Sequence, residues 1–168
     1  MAHEGPYGLE LELFVFAELC VTCEKLSIEE ITEILQLTPT DHVRKDDVLC
    51  EYKSRPFRSP TNLWRFSSEG KVRSNNLYYH TEWMVKELFG KTPAFKLLKN
   101  AGAHLKLSFH IYSGEDYAGG FLELKTIKLL AQLGIEFAFN VHYVDFSEPL
   151  DEDAEEKVEI QIGQKSTQ

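Results

Sequence analysis

The chain has 168 residues, 43% apolar and 12% aromatic, which is enough for one sizeable core and too apolar for a disordered chain. Its formal charge of -9 disfavours nucleic acid as a general partner, because counterion release needs a broad basic surface. No apolar run approaches the roughly 20 residues of a membrane helix, and MAHEGPYGLELELF has no basic region leading into an apolar stretch, so the expectation is a soluble, cytoplasmic protein without membrane association.

In chain order, residues 1–11 read as an N-terminal extension, residues 12–147 as one domain, and residues 148–168 as an acidic, mobile tail. The charge supports this division. Residues 1–12 hold three glutamates and no base, residues 13–144 hold 16 acids and 16 bases, and from Asp145 onward eight acids face two lysines.

LELFVFAEL, residues 11–19, is apolar on both faces from Leu13 to Ala17 and predicts a strand covered on both sides. Cys20-Val-Thr-Cys23 follows. A redox C-x-x-C needs its first cysteine at a helix N-terminus, yet the helix cap here is Ser27. Val21 and Thr22 favour extended backbone, which turns the two sulfurs to opposite faces of a strand, and Cys50 is the one remaining cysteine. The pair therefore reads as a strand end with no metal site and no cofactor. An odd count of three cysteines points to reduced thiols.

Ser27-Ile-Glu-Glu30 is a capping box opening a helix with Ile28, Ile31, Ile34 and Leu35 on one face, closed by Pro39. Residues 42–50 and 62–67 predict shorter strands. Between and across them, YKSRPFRSPTNLWRFSS carries Lys53, Arg55, Arg58 and Arg65 with no acid. Arg55, Arg58 and Arg65 beside Phe57 and Trp64 form a candidate binding surface for a phosphate, carboxylate or stacked ring, held by Pro56 and Pro60. The plainer reading is that these arginines are solvated or pair with Asp46, Asp47 and Glu51.

Tyr79, Trp83 and Leu88 begin a second helical region interrupted by Gly90, and Thr92-Pro93 predicts an N-cap for a helix over residues 93–100 ending before Gly102. HLKLSFHIY alternates, with Leu105, Leu107, Phe109 and Ile111 on one face and Lys106, Ser108, His110 and Tyr112 on the other. GEDYAGG is a loop, and its Gly119-Gly120 permits a tight turn better than it suits a phosphate loop without a lysine. Leu124 to Leu133 is a third helix ended by Gly134, and a last strand turns Ile135, Phe137, Phe139 and Val141 inward. Beyond Pro149 the tail is expected to be dispensable for folding, although Val158, Ile160 and Ile162 in KVEIQIG, residues 157–163, alternate like an edge strand.

These elements predict an α+β domain, a mixed sheet with helices packed mainly on one face. LELFVFAEL with SIEEITEILQL and HLKLSFHIYS with LKTIKLLAQLG fit a duplicated strand-helix-strand plan. The run IEEITEILQLTPTDHVRKDD, Trp64, Glu82-Trp83 and GGFLELKTIKLLAQLG before an aromatic strand resembles the bacterial domain of unknown function 4279 family over roughly residues 12–145. Asp46 departs from that pattern, which favours glycine after Arg44-Lys45, and so does the acidic tail. The resemblance implies a fold and no activity.

If the last two long strands are neighbours, one face gathers Ser108, His110, Tyr112, Glu136, Asn140 and His142. Such a group could do acid-base work, with His110, His142 and Glu136 as the candidates, or it could be a polar, half-solvated sheet face. No complete catalytic constellation is legible. The preferred reading is a non-enzymatic module that binds another protein, of immunity or regulatory type. The alternative is a small hydrolase or ligand-binding enzyme using the histidine-bearing face.

Overall fold

The computed structural model describes residues 13–52, 55–113 and 124–143. Eleven elements follow in order among these residues: β1 (Leu13–Cys23), α1 (Ile28–Leu35), β2 (Asp41–Val43), β3 (Val48–Tyr52), β4 (Arg55–Arg58), β5 (Asn62–Ser67), α2 (Leu77–Leu88), α3 (Thr92–Asn100), β6 (His104–Ser113), α4 (Leu124–Leu133) and β7 (Glu136–Tyr143). The N-terminal extension, the Gly119-Gly120 loop, the acidic tail and KVEIQIG lie outside the described residues.

Five strands form one mixed sheet in the order β2-β5-β1-β6-β7, and β3 and β4 pair as a separate hairpin. β1 lies at the centre, antiparallel to β5 and β6, while β6 and β7 are parallel. A parallel pair needs a crossover, and α4 supplies it between β6 and β7. The helices cover one face. The duplicated plan holds for the strand-helix halves but not for the pairing, because β5 is inserted between β1 and β2 whereas β6 and β7 are direct neighbours.

Period-two burial along β1 explains the layering. Val15, Ala17, Leu19, Val21 and Cys23 face the helices and are buried, as are Leu105, Leu107, Phe109 and Ile111 of β6. Ile28, Ile31 and Leu35 of α1, Phe95 and Leu98 of α3, and Leu130 and Leu133 of α4 close over them. Fully burying one such aliphatic chain contributes about 1.5–3 kcal/mol, so this continuous cluster is the main source of stability.

The capping box of α1 forms as the spacing predicts: Ser27 Oγ accepts from the Glu30 amide at 3.2 Å, and Glu30 Oε2 accepts from the Ser27 amide at 2.8 Å. The helix stops at Leu35, before Pro39, because Gln36 enters the left-handed region at φ 51. α3 begins one residue earlier than Thr92-Pro93 predicts. Lys91 is the N-cap and makes no side-chain cap bond, with Pro93 in the first turn where its missing N–H costs nothing.

Three expectations are corrected by packing. The strand expected over 42–50 is two strands, broken where Asp46 adopts φ 71 and the Arg44 amide donates to Asp47 Oδ2 at 2.7 Å. On β7, Phe137, Phe139 and Val141 do lie on the helix side, but they remain 50%, 46% and 57% exposed because β7 is the sheet edge among the described residues. Trp64, expected at a contact surface, is fully buried. It stands opposite Val21 on the helix side of the sheet, stacks near Phe66 at 6.1 Å, and donates its Nε1–H to Thr32 Oγ1 at 3.0 Å.

Candidate functional site

The face turned away from the helices is built from the alternate residues of each strand. The registers of the four pairings align these into rows that cross the sheet. One row runs Asp41, Arg65, Cys20, Lys106, Glu136, through all five strands. The next holds Ser67, Glu18, Ser108 and Ala138, then Phe16, His110 and Asn140, and finally Phe14, Tyr112 and His142. Thus the expected set Ser108, His110, Tyr112, Glu136, Asn140 and His142 does share one face. The face grades from charge at one end to rings at the other.

Within the ring rows the planes are nearly parallel. Phe16 stacks on His110 at 4.5 Å and 9°, His110 lies 5.9 Å from His142 at 4°, and Tyr112 stacks on His142 at 4.4 Å and 13°. Phe14 adjoins Tyr112 at 5.9 Å. Offset stacks of this kind contribute about 0.5–1.5 kcal/mol per pair beyond burial. The stack has a cost as well. Both ring nitrogens of His110 are shut from solvent and have no hydrogen-bond partner among the described residues. Burial holds the affinity of His110 for a proton below the usual imidazole value, opposed by the nearby Glu18 carboxylate and reinforced by His142. His110 is therefore neutral at pH 7.

The charged row is more ordinary. Arg65 Nη1 meets Asp41 Oδ2 at 3.0 Å and His104 Nε2 lies 3.7 Å from Glu136 Oε2, both exposed pairs. Each is worth about 0–1 kcal/mol. Cys20 donates its S–H to Glu18 Oε1 at 3.1 Å. Burial, and then that carboxylate, push the Cys20 thiol up to about 12. A thiol held protonated is a poor nucleophile and a poor metal ligand. Cys23 is buried on the opposite side of the strand, as the β-branched spacer predicts. Among the described residues no group of three or more histidine, cysteine or acidic side chains is placed to hold a metal ion.

The arginine surface does not assemble as the sequence suggests. Arg55 and Arg58 lie on the exposed β3–β4 hairpin, where Arg58 Nη1 donates to the Asp46 carbonyl at 2.7 Å and Phe57 is 57% exposed. Arg65 joins the open sheet face, and Trp64 the core. The residues that are adjacent in sequence along β5 necessarily point to opposite sides of it.

One polar network escaped the sequence reading. Buried Ser68 accepts the Ala17 amide at 2.8 Å and lies 2.8 Å from His80 Nδ1, while His80 Nε2 lies 2.7 Å from the Ser74 carbonyl. The Ser74 acceptor requires the proton on Nε2, so Nδ1 accepts from the Ser68 hydroxyl. Burial again lowers the proton affinity of the ring, against the Ser74 bond. Although this is a serine-histidine pair, the hydroxyl is fully buried and fully bonded, which makes it a strut between β5 and α2. The available signal was position: His80 occupies the buried stripe of α2 with Leu77, Thr81, Met84 and Leu88.

These features define an α+β domain with a helix-covered mixed sheet and a ring-bearing open face. The chain belongs to the family described as Domain of unknown function (DUF4279), whose model matches residues 12–144. No curated protein and no solved structure matches it. Among the described residues no helix is long and apolar enough to cross a membrane. Asp46 has a left-handed backbone, φ 71, which glycine adopts without steric cost.

Proposed function

We propose that this is a non-enzymatic protein-binding module of the bacterial cytoplasm that engages its partner through the open face of the sheet. The observation that carries the reading is the pair of adjacent rows of near-parallel rings, the buried Phe16 with His110 and Tyr112 with His142, set on neighbouring strands. Rings already fixed by stacking lose little conformational freedom on binding, and aromatic side chains dominate protein interfaces. Arg65, Lys106 and Glu136 beside them would set orientation by charge. Three unpaired thiols, Cys20, Cys23 and Cys50, support a reducing compartment.

A second reading, a ligand-binding enzyme, draws on the unpartnered nitrogens of His110. It needs a group that either donates to or accepts from that ring, and the described neighbours supply none. The arginine hairpin is the competing surface within the binding reading.

Site-specific photo-crosslinking in the source cell tests the proposal. A photoreactive residue at Tyr112 is expected to trap one discrete protein adduct, while the same residue at exposed Tyr79 on α2 traps none. Equal labelling from both positions, or from Tyr79 alone, would contradict the open face as the contact surface.

A further inference from the structure

Edge strands are hazards that natural proteins blunt, and among the described residues the two edges of this sheet are treated very differently. β2 is three residues long and carries Asp41. β7 is eight residues long, EFAFNVHY, with no lysine, arginine or proline. Its Phe137, Phe139 and Val141 are each about half exposed on the helix side. A long, apolar, unblunted edge is a template for another strand.

We propose that β7 pairs antiparallel with β7 of a second copy about a two-fold axis at Phe139, joining two five-stranded sheets into one. The sequence of β7 is self-complementary about that residue. Antiparallel pairing centred there sets Phe139 against Phe139, Phe137 against Val141, Ala138 against Asn140, and Glu136 against His142. The first two pairings place rings and a branched chain together on the helix side, where cross-strand apolar pairs stabilise a ladder. The last sets a carboxylate opposite an imidazole on the open face. Both side chains are exposed, with Glu136 3.7 Å from His104 and His142 stacked on Tyr112. Shifting the register by two residues would set Glu136 against Asn140 or His142 against Ala138 and lose the carboxylate-imidazole pair. A two-fold contact is closed, so pairing stops at a dimer and leaves, among the described residues, the short β2 strands at the outer edges. The open faces of both copies then form one continuous surface.

Sedimentation velocity of the full chain, from micromolar to hundreds of micromolar, is expected to show a species of twice the mass of one chain. Val141→Lys, at a position already exposed, is expected to leave the circular dichroism spectrum unchanged and to shift the protein to monomer across that range. Register is read by disulfide trapping in a Cys50→Ser background, since Cys50 is the exposed native thiol. Phe139→Cys should give a covalent dimer on mild oxidation, and Asn140→Cys should not, because residue 140 faces residue 138. A full chain that is monomeric throughout, with β7 amides slow to exchange, would overturn the proposal and show the edge covered by the chain's own residues. A dimer that survives Val141→Lys, or equal trapping at 139 and 140, would overturn it as well.

Discussion

Replacing Trp64 with alanine is expected to destabilise the protein by about 3–5 kcal/mol, the range for emptying a large buried aromatic site. The indole has no exposed surface, lies between Val21 and Phe66 in the main cluster, and satisfies its N–H on Thr32. Truncation removes the dispersion contacts, leaves a cavity under α1, and strips Thr32 of its partner. By contrast, Arg55→Ala with Arg58→Ala should each move stability by no more than about 0.5 kcal/mol, as substitutions on an exposed hairpin usually do. Urea midpoints at unchanged m-value read both effects. A small loss for Trp64→Ala would contradict its place in the core.

The second large effect has the opposite sign. Replacing His110 with phenylalanine is expected to raise stability by about 1–2 kcal/mol at neutral pH, since it removes two buried nitrogens that find no partner among the described residues and so relieves about what an unsatisfied polar group costs. The new ring keeps the stack with Phe16 and His142. A stabilising substitution at a position on the ring-bearing face would support the reading that the wild-type residue is held for binding and not for folding. It also predicts a pH signature. Burial depresses the proton affinity of folded His110 and His80 below the ordinary value of 6.5. As pH falls past 6.5 the unfolded chain takes up protons that the folded chain does not, so stability is complete above that value and declines as pH falls toward the folded values. His110→Phe should weaken this decline and leave the part due to His80. A decline that is unchanged, or a protein destabilised at pH 7, would contradict the account.

The sheet was legible where one physical signal dominated. Strict alternation in HLKLSFHIY fixed the two faces of β6, and the Ser27 to Glu30 spacing fixed the start of α1. The faces of β7 were assigned correctly, but its exposure was not, because alternation reports which side a residue points to and not how far the helices reach over an edge. The arginine cluster misled for a related reason: nearness along the chain in Trp64 and Arg65 becomes opposition across a strand. His80 was missed because burial of a polar residue depends on partners, Ser68 and the Ser74 carbonyl, that no local pattern reveals. The histidine face could be proposed from sequence only on the condition that β6 and β7 are neighbours; the rows extending across β1, with Phe14, Phe16 and Glu18, required the antiparallel register.

The open face and the arginine hairpin can be separated by one measurement, the affinity for the protein trapped by crosslinking, made by calorimetry on two double variants. With Tyr112→Ala and His142→Ala, two ring contacts at about 1–2 kcal/mol each are lost, and affinity should fall on the order of 100-fold. With Arg55→Ala and Arg58→Ala it should change by less than about 3-fold, since exposed hairpin charges away from the contact affect encounter more than residence. A large loss from the arginine pair with the ring pair unaffected would contradict the open face as the binding surface.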